Sequence, residues 1–119
     1  MIVHTPVITP IQPPRPLLPR GAVDFDGVIH DYYKGWQGGM IYGEPNLGTK
    51  LALTKLSKKY ELVVFTARHD LDAVRAWLRK HRLDQFFADV TNRKPVAAWY
   101  LDDRGMLFTT WEHALENLL

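Results

Sequence analysis

The chain has no cysteine among its 119 residues, which excludes disulfides and thiolate metal sites outright. A reducing cytosol is compatible with that, and a cytoplasmic protein is the expectation. Any apolar run near the roughly 18 residues of a membrane span is also missing, so no membrane partner is expected. The opening segment, MIVHTPVITPIQPPRPLLPRG, lacks the basic-then-apolar order of a secretory signal, and its prolines interrupt the apolar stretch. Excess charge is missing too. Arg15 and Arg20, with no acid among residues 1–20, account for the whole formal net charge of +2. The rest of the chain is formally neutral, so bulk charge does not mark it as a nucleic-acid binder.

What the chain does have begins with proline. Six of its eight prolines fall within residues 6–19, a density that excludes helix and disfavours a central strand. Residues 1–20 therefore read as a proline-rich arm. It is either a mobile tail or, through Ile8, Ile11, Leu17 and Leu18, an arm packed on its own domain or on a neighbouring copy in a homo-oligomer. Residues 21–119 read as one domain near the small end of the usual size range.

From Gly21 the pattern changes. AVDF is a short apolar run that fits a buried strand ending at Asp24–Asp26. Residues 27–45 are rich in glycine and aromatics; Gly35, Gly38 and Gly39 predict turns whose flanks pair as a short hairpin. EPNLGTKLALTKLSKKY places Leu47, Leu51 and Leu56 near one helical face, with Asn46 as the candidate cap. ELVVFTAR is a second buried strand. HDLDAVRAWLRKHRL is an amphipathic helix with Leu71, Val74, Trp77 and Leu78 inward. QFFADVTN and VAAWYLDD supply a third and a fourth strand, and MLFTT a short fifth. TWEHALENLL closes the chain as a helix with Trp111, Ala114, Leu115 and Leu118 on its apolar side. This alternation predicts an α/β fold: a single Rossmann-like domain with a mostly parallel sheet flanked by helices and covered on both faces. In such sheets ligands bind outside the carboxyl ends of the strands.

The polar residues fall at those ends. Asp24 and Asp26 end the first strand, Thr66 and Arg68 the second, and Asp102 and Asp103 the fourth. Four acids gathered at one sheet edge repel one another unless a cation shares the site. Hard oxygen donors at low number favour Mg²⁺, and without cysteine or paired histidines a zinc site is not expected. Lys94 and Thr66 offer what a phosphoryl group needs, a positive charge and a hydrogen-bond donor. Arg93, adjacent to Lys94, is an alternative source of that charge, and Asp103 is alternatively an outer partner of Arg104. Arg68 and His69 either cap the second helix or touch substrate.

In this order, DFDG, VVFTAR, RKP and YLDD resemble the four motifs of the haloacid dehalogenase (HAD) superfamily across residues 21–108. DxDG alone is a weak signal; four motifs in order, each at a strand end or loop, are far more specific. The resemblance implies a HAD-like hydrolase domain and a Mg²⁺-dependent phosphatase acting through an aspartyl-phosphate. Asp24 is similar to the nucleophile of that family. Asp26 resembles the general acid that protonates the leaving oxygen and then activates water, and its backbone carbonyl resembles a metal ligand. Thr66 would hydrogen-bond the phosphoryl group, and Lys94 would neutralise charge on Asp24 and the phosphate. Asp102 resembles the direct metal ligand, with Asp103 a second or water-mediated one.

Family members often carry a cap domain, and here only residues 27–45 stand after the first motif, so the chain resembles a capless member with a short flap hairpin instead. Tyr32, Tyr33, Trp36 and Tyr42 either stack on a base or sugar or cover the site. The substrate is a phosphorylated compound whose identity the sequence leaves open. One alternative is a nucleic-acid-end phosphatase, with Arg75, Arg79, Lys80 and Arg82 tracking the backbone. Another is a catalytically inactive HAD-like binding module.

Overall fold

The computed structural model describes residues 17–102, 106–107 and 110–119; most of the proline-rich arm, including Ile8 and Ile11, and the Asp103–Arg104 pair lie outside the described residues. Short runs of β-branched and apolar residues form strands β1 (Arg20–Asp24), β2 (Glu61–Phe65), β3 (Phe87–Thr91), β4 (Trp99–Asp102) and β5 (Met106–Leu107). Between and after them lie helices α1 (Thr49–Leu56), α2 (Leu71–Lys80) and α3 (Trp111–Leu118). The sheet has the order β3-β2-β1-β4-β5 and every neighbouring pair is parallel. This is the predicted α/β fold, with β1 at the centre of the sheet.

Val23, Val64 and Leu101 sit on one sheet face and join a single core cluster with Leu53 and Leu56 of α1, Trp77 and Leu78 of α2, and Trp111 and Leu118 of α3. All three helices therefore share that face, and the expected helical cover on both faces is not seen among the described residues, because the β3–β4 connection carries no helix. On the opposite face Ala22 and Val63 are also buried. Residues 92–98, which join β3 to β4, contain no helix. They are fewer than the roughly 10–12 residues of a helical crossover. The connector is fastened by the Ala98 N–H on the Arg20 carbonyl at 2.7 Å, and by the Tyr100 hydroxyl on the Pro95 carbonyl.

Asp70 caps α2, its side chain accepting the Ala73 N–H at 3.0 Å, so neither Arg68 nor His69 does. Thr110 caps α3 in the same way through the His113 N–H. α1 departs from the sequence expectation. Gly48 at φ 84° sets its start, and Thr49, Ala52, Leu53 and Leu56 face the core, while Leu47 and Leu51 face outward, 99% and 63% exposed. Asn46 does not cap the helix. Its amide donates to the Val28 carbonyl at 2.7 Å and so ties the helix entry to the turn after β1.

The predicted flap hairpin reduces to one antiparallel bridge, His30 to Pro45. Between these ends the chain is an irregular loop, because Gly35, Gly38 and Gly39 all take positive φ and break any ladder. Among the described residues no helix is long and apolar enough to cross a membrane.

Candidate functional site

The strand order reverses direction between β1 and β4, and in an open parallel sheet that reversal opens a crevice at the strand carboxyl ends. Asp24 ends β1 and Asp102 ends β4; the register Val23 to Leu101 sets them side by side. Both line a cavity of about 280 Å³ together with Phe65 and Tyr100. Asp24 also borders a second cavity of about 300 Å³ with Asp26, Tyr32 and Thr66. Its Oδ1 accepts the Phe25 N–H at 2.8 Å, which fixes the carboxylate relative to the turn.

That turn is tight. The Phe25 carbonyl accepts the N–H groups of Ile29 and His30 at 3.0 and 2.9 Å, and Gly27 turns the chain at φ 84°. The outcome is to bring His30 back onto Asp26. Three donors reach the Asp26 carboxylate: Arg68 Nε to Oδ2 at 2.7 Å, Arg68 Nη2 to Oδ1 at 3.0 Å, and His30 Nδ1 to Oδ1 at 2.9 Å. Arg68 is buried and also donates from Nη1 to the Gly39 carbonyl at 3.0 Å, with the Trp36 ring 5.1 Å from its guanidinium carbon. The guanidinium thus closes the flap onto the second aspartate. The expected substrate arm is an internal ion pair in this conformation.

Thr66 follows β2 directly and is buried. Its N–H donates to the Thr91 carbonyl at 3.0 Å and its hydroxyl accepts the Arg68 N–H at 3.2 Å, leaving the hydroxyl proton to point elsewhere. Lys94 lies against Tyr100, which lines the Asp24–Asp102 cavity. Its Nζ lies 4.9 Å from the centre of the Tyr100 ring, at the margin of the Asp24–Asp102 cavity rather than among its lining residues. Burial first, and then the negative charge of Asp26, push the Tyr32 phenol above the ordinary tyrosine range. It lines the cavity that Asp24 also borders.

The other aromatics have structural partners. Tyr42 stacks on Tyr32 with centroids 6.4 Å apart, meets Tyr33 edge-on at 5.4 Å, and its hydroxyl donates to the Gly35 carbonyl at 2.8 Å. Tyr33 and Trp36 are exposed at the flap surface. Arg75 donates to the Val90 carbonyl at 3.0 Å and lies 3.6 Å from Asp72 and 3.7 Å from Asp89.

Among the described residues no group of three or more histidines or acids gathers as a metal cluster. Two carboxylates on adjacent strands, Asp24 and Asp102, are oxygen donors of the kind Mg²⁺ takes. Such a set fits Mg²⁺, which usually keeps several waters and binds through one or two carboxylates. Asp103 lies outside the described residues. The sequence reading passed over His30. Its signal was position: four residues after Asp26 in DFDGVIH, the spacing that a single tight turn folds back.

No family model and no curated protein matches the chain. A solved structure of a conserved protein from Bacteroides thetaiotaomicron is similar to it, with 26% sequence identity and a TM-score of 0.66. The alignment covers 83% of this chain and 88% of that one. Likeness over that span agrees with the sheet order and the helix placement: the chain is a small Rossmann-like α/β domain.

Proposed function

We propose that the protein is a Mg²⁺-dependent phosphatase that hydrolyses phosphate monoesters through an aspartyl-phosphate on Asp24. One observation carries the reading. At the switch point of a parallel sheet Asp24 stands between two cavities, with Asp102 beside it on one side and Asp26 and Thr66 on the other.

Asp24 would attack phosphorus, forming a P–O bond to its carboxylate while the ester P–O bond breaks. The Asp26 carboxyl would pass its proton to the departing oxygen and afterwards take one from the water that attacks the aspartyl-phosphate. That second attack releases inorganic phosphate and restores Asp24. Of the two Asp26 oxygens, Oδ2 receives only one donor and so has room for the proton. The Thr66 hydroxyl and the Tyr32 phenol would donate to the phosphoryl oxygens, and Lys94 would reach in from the cavity margin to balance charge. Asp24 and Asp102 would hold Mg²⁺, whose contribution is to neutralise charge on the transferring phosphoryl group.

The second reading, a phosphate-binding module without turnover, is favoured by the closed Arg68–Asp26 pair, since a proton donor bound twice by a guanidinium must first exchange partners. Purified protein assayed with an aryl phosphate decides between them. Mg²⁺-dependent release of inorganic phosphate, with an acid-stable, hydroxylamine-labile phosphoenzyme, is expected; phosphate binding without release would overturn the enzyme reading in favour of the module.

A further inference from the structure

His30 is fully buried, yet both of its ring nitrogens are bonded: Nδ1 lies 2.9 Å from Asp26 Oδ1 and Nε2 lies 2.9 Å from the Gly43 backbone nitrogen. A backbone N–H can only donate, so Nε2 accepts and carries no proton. The ring proton therefore sits on Nδ1, where it donates to Asp26. Packing fixes the plane of the ring. Phe25 stacks on it with centroids 5.4 Å apart and planes 20° apart, while Tyr42 and Trp77 meet it edge-on at 5.2 and 5.6 Å.

Gly43 is fixed in turn. Its carbonyl accepts the Trp77 Nε1–H of α2 at 3.1 Å. A Cβ at this position would lie 2.2 Å from the Asp31 carbonyl oxygen and 2.9 Å from His30 Nε2, so only glycine brings the backbone this close. A continuous set of donors thus runs from Trp77 through Gly43 and His30 to Asp26. None of these contacts is needed by the reaction as written above, and all of them converge on one carboxylate.

We infer that His30 is a positioning residue for Asp26. In its Nδ1–H form it fixes the orientation of the carboxyl group and couples it to the returning arm of the flap at Gly43. Its catalytic consequence rests on the phosphatase reading; the hydrogen-bond arrangement does not. Oδ1 takes both His30 and Arg68 Nη2, while Oδ2 takes Arg68 Nε alone and is the less crowded oxygen for proton exchange. If His30 is lost, the carboxyl is free to turn, and the step that suffers is protonation of a poor leaving group.

Two measurements test this. In the wild-type protein, long-range nitrogen–proton NMR correlation of the His30 ring should show a protonated Nδ1 and a bare Nε2. A proton on Nε2 would overturn the inference whether or not the protein turns anything over. The kinetic arm uses His30→Asn, whose amide nitrogen takes the place of Nδ1, and His30→Gln, whose amide reaches only the Nε2 end. His30→Gln should slow hydrolysis of an alkyl phosphate on the order of 100-fold, the scale of a misplaced catalytic group, with a far smaller effect on an aryl phosphate. His30→Asn should recover most of the alkyl rate. Equal slowing of both esters by His30→Gln, or no rescue by a folded His30→Asn, would overturn the positioning role. A wild-type protein that hydrolyses neither ester would instead remove the phosphatase reading, and the ring spectrum would then decide the hydrogen-bond arrangement alone.

Discussion

The two sides of the β1 carboxyl end are furnished in opposite ways. Toward β2, Asp26 receives three donors from the buried Arg68 and His30, and the same Arg68 holds the flap at Gly39. Toward β4, two carboxylates, Asp24 and Asp102, stand side by side at a cavity. The first side is shaped by the protein's own contacts. The second is where, on the proposed reading, Mg²⁺ would bind. One region holds a single carboxylate in place, and the other sets two at one cavity.

This contrast is most directly broken at Asp24. Asp24→Asn should lower Mg²⁺-dependent aryl phosphate turnover by roughly a thousandfold or more. Near-normal turnover would show that the β4 side does not carry the chemistry. Next come the proposed metal ligands. Asp102→Ala should raise the Mg²⁺ concentration for half-maximal activity by about tenfold, roughly 1.4 kcal/mol, and by more than Asp103→Ala does. Titration of both variants checks the order.

On the other side the expected loss is in stability. Arg68→Met leaves Asp26 without its ion-pair partner and should cost about 3 kcal/mol in urea unfolding, although the carboxylate keeps His30. An unchanged unfolding midpoint would mean that the flap side is not held by this pair. The smallest effect is expected at α1. Leu51→Ala should change stability by less than about 0.5 kcal/mol, against about 3 kcal/mol for Leu53→Ala; similar losses would restore the leucine face that the sequence suggests.

The last case shows how far a sequence can be read. The strands were legible because ELVVF and AVDF are short apolar runs and because alternation with helices implies a parallel sheet. From the sheet rule alone Asp24, Thr66 and Asp102 could be assigned to strand ends, and there they lie. The helical phase of α1 was not legible to a reading that weighed leucines only. Thr49, Ala52, Leu53 and Leu56 follow the i, i+3, i+4, i+7 pattern, and two of the four are small or polar. The Thr49 hydroxyl is buried because it accepts the Trp111 indole N–H at 2.8 Å, a partner that local pattern does not reveal. Arg68 posed the same difficulty. Beside the second strand it reads as an arm for an anion, and the anion it holds is Asp26, 42 residues away in sequence. The helices' common face was hidden as well, since it depends on the short return from β3 to β4.

The way the flap is fastened has a consequence for how the molecule can be rebuilt. Both feet of the loop are clamped: Asp31 N–H to the Glu44 carbonyl at 2.9 Å, and Asn46 N–H to the Ile29 carbonyl at 2.9 Å. The contacts that reach the second aspartate come from Gly39 and from Gly43, which leaves Gln37 and Gly38 at an exposed tip. Each doubling of a flexible loop costs only about 0.6 kcal/mol in closure entropy. The tip is thus a natural insertion point, where extra chain, even a folded cover module, would be tolerated without moving either foot.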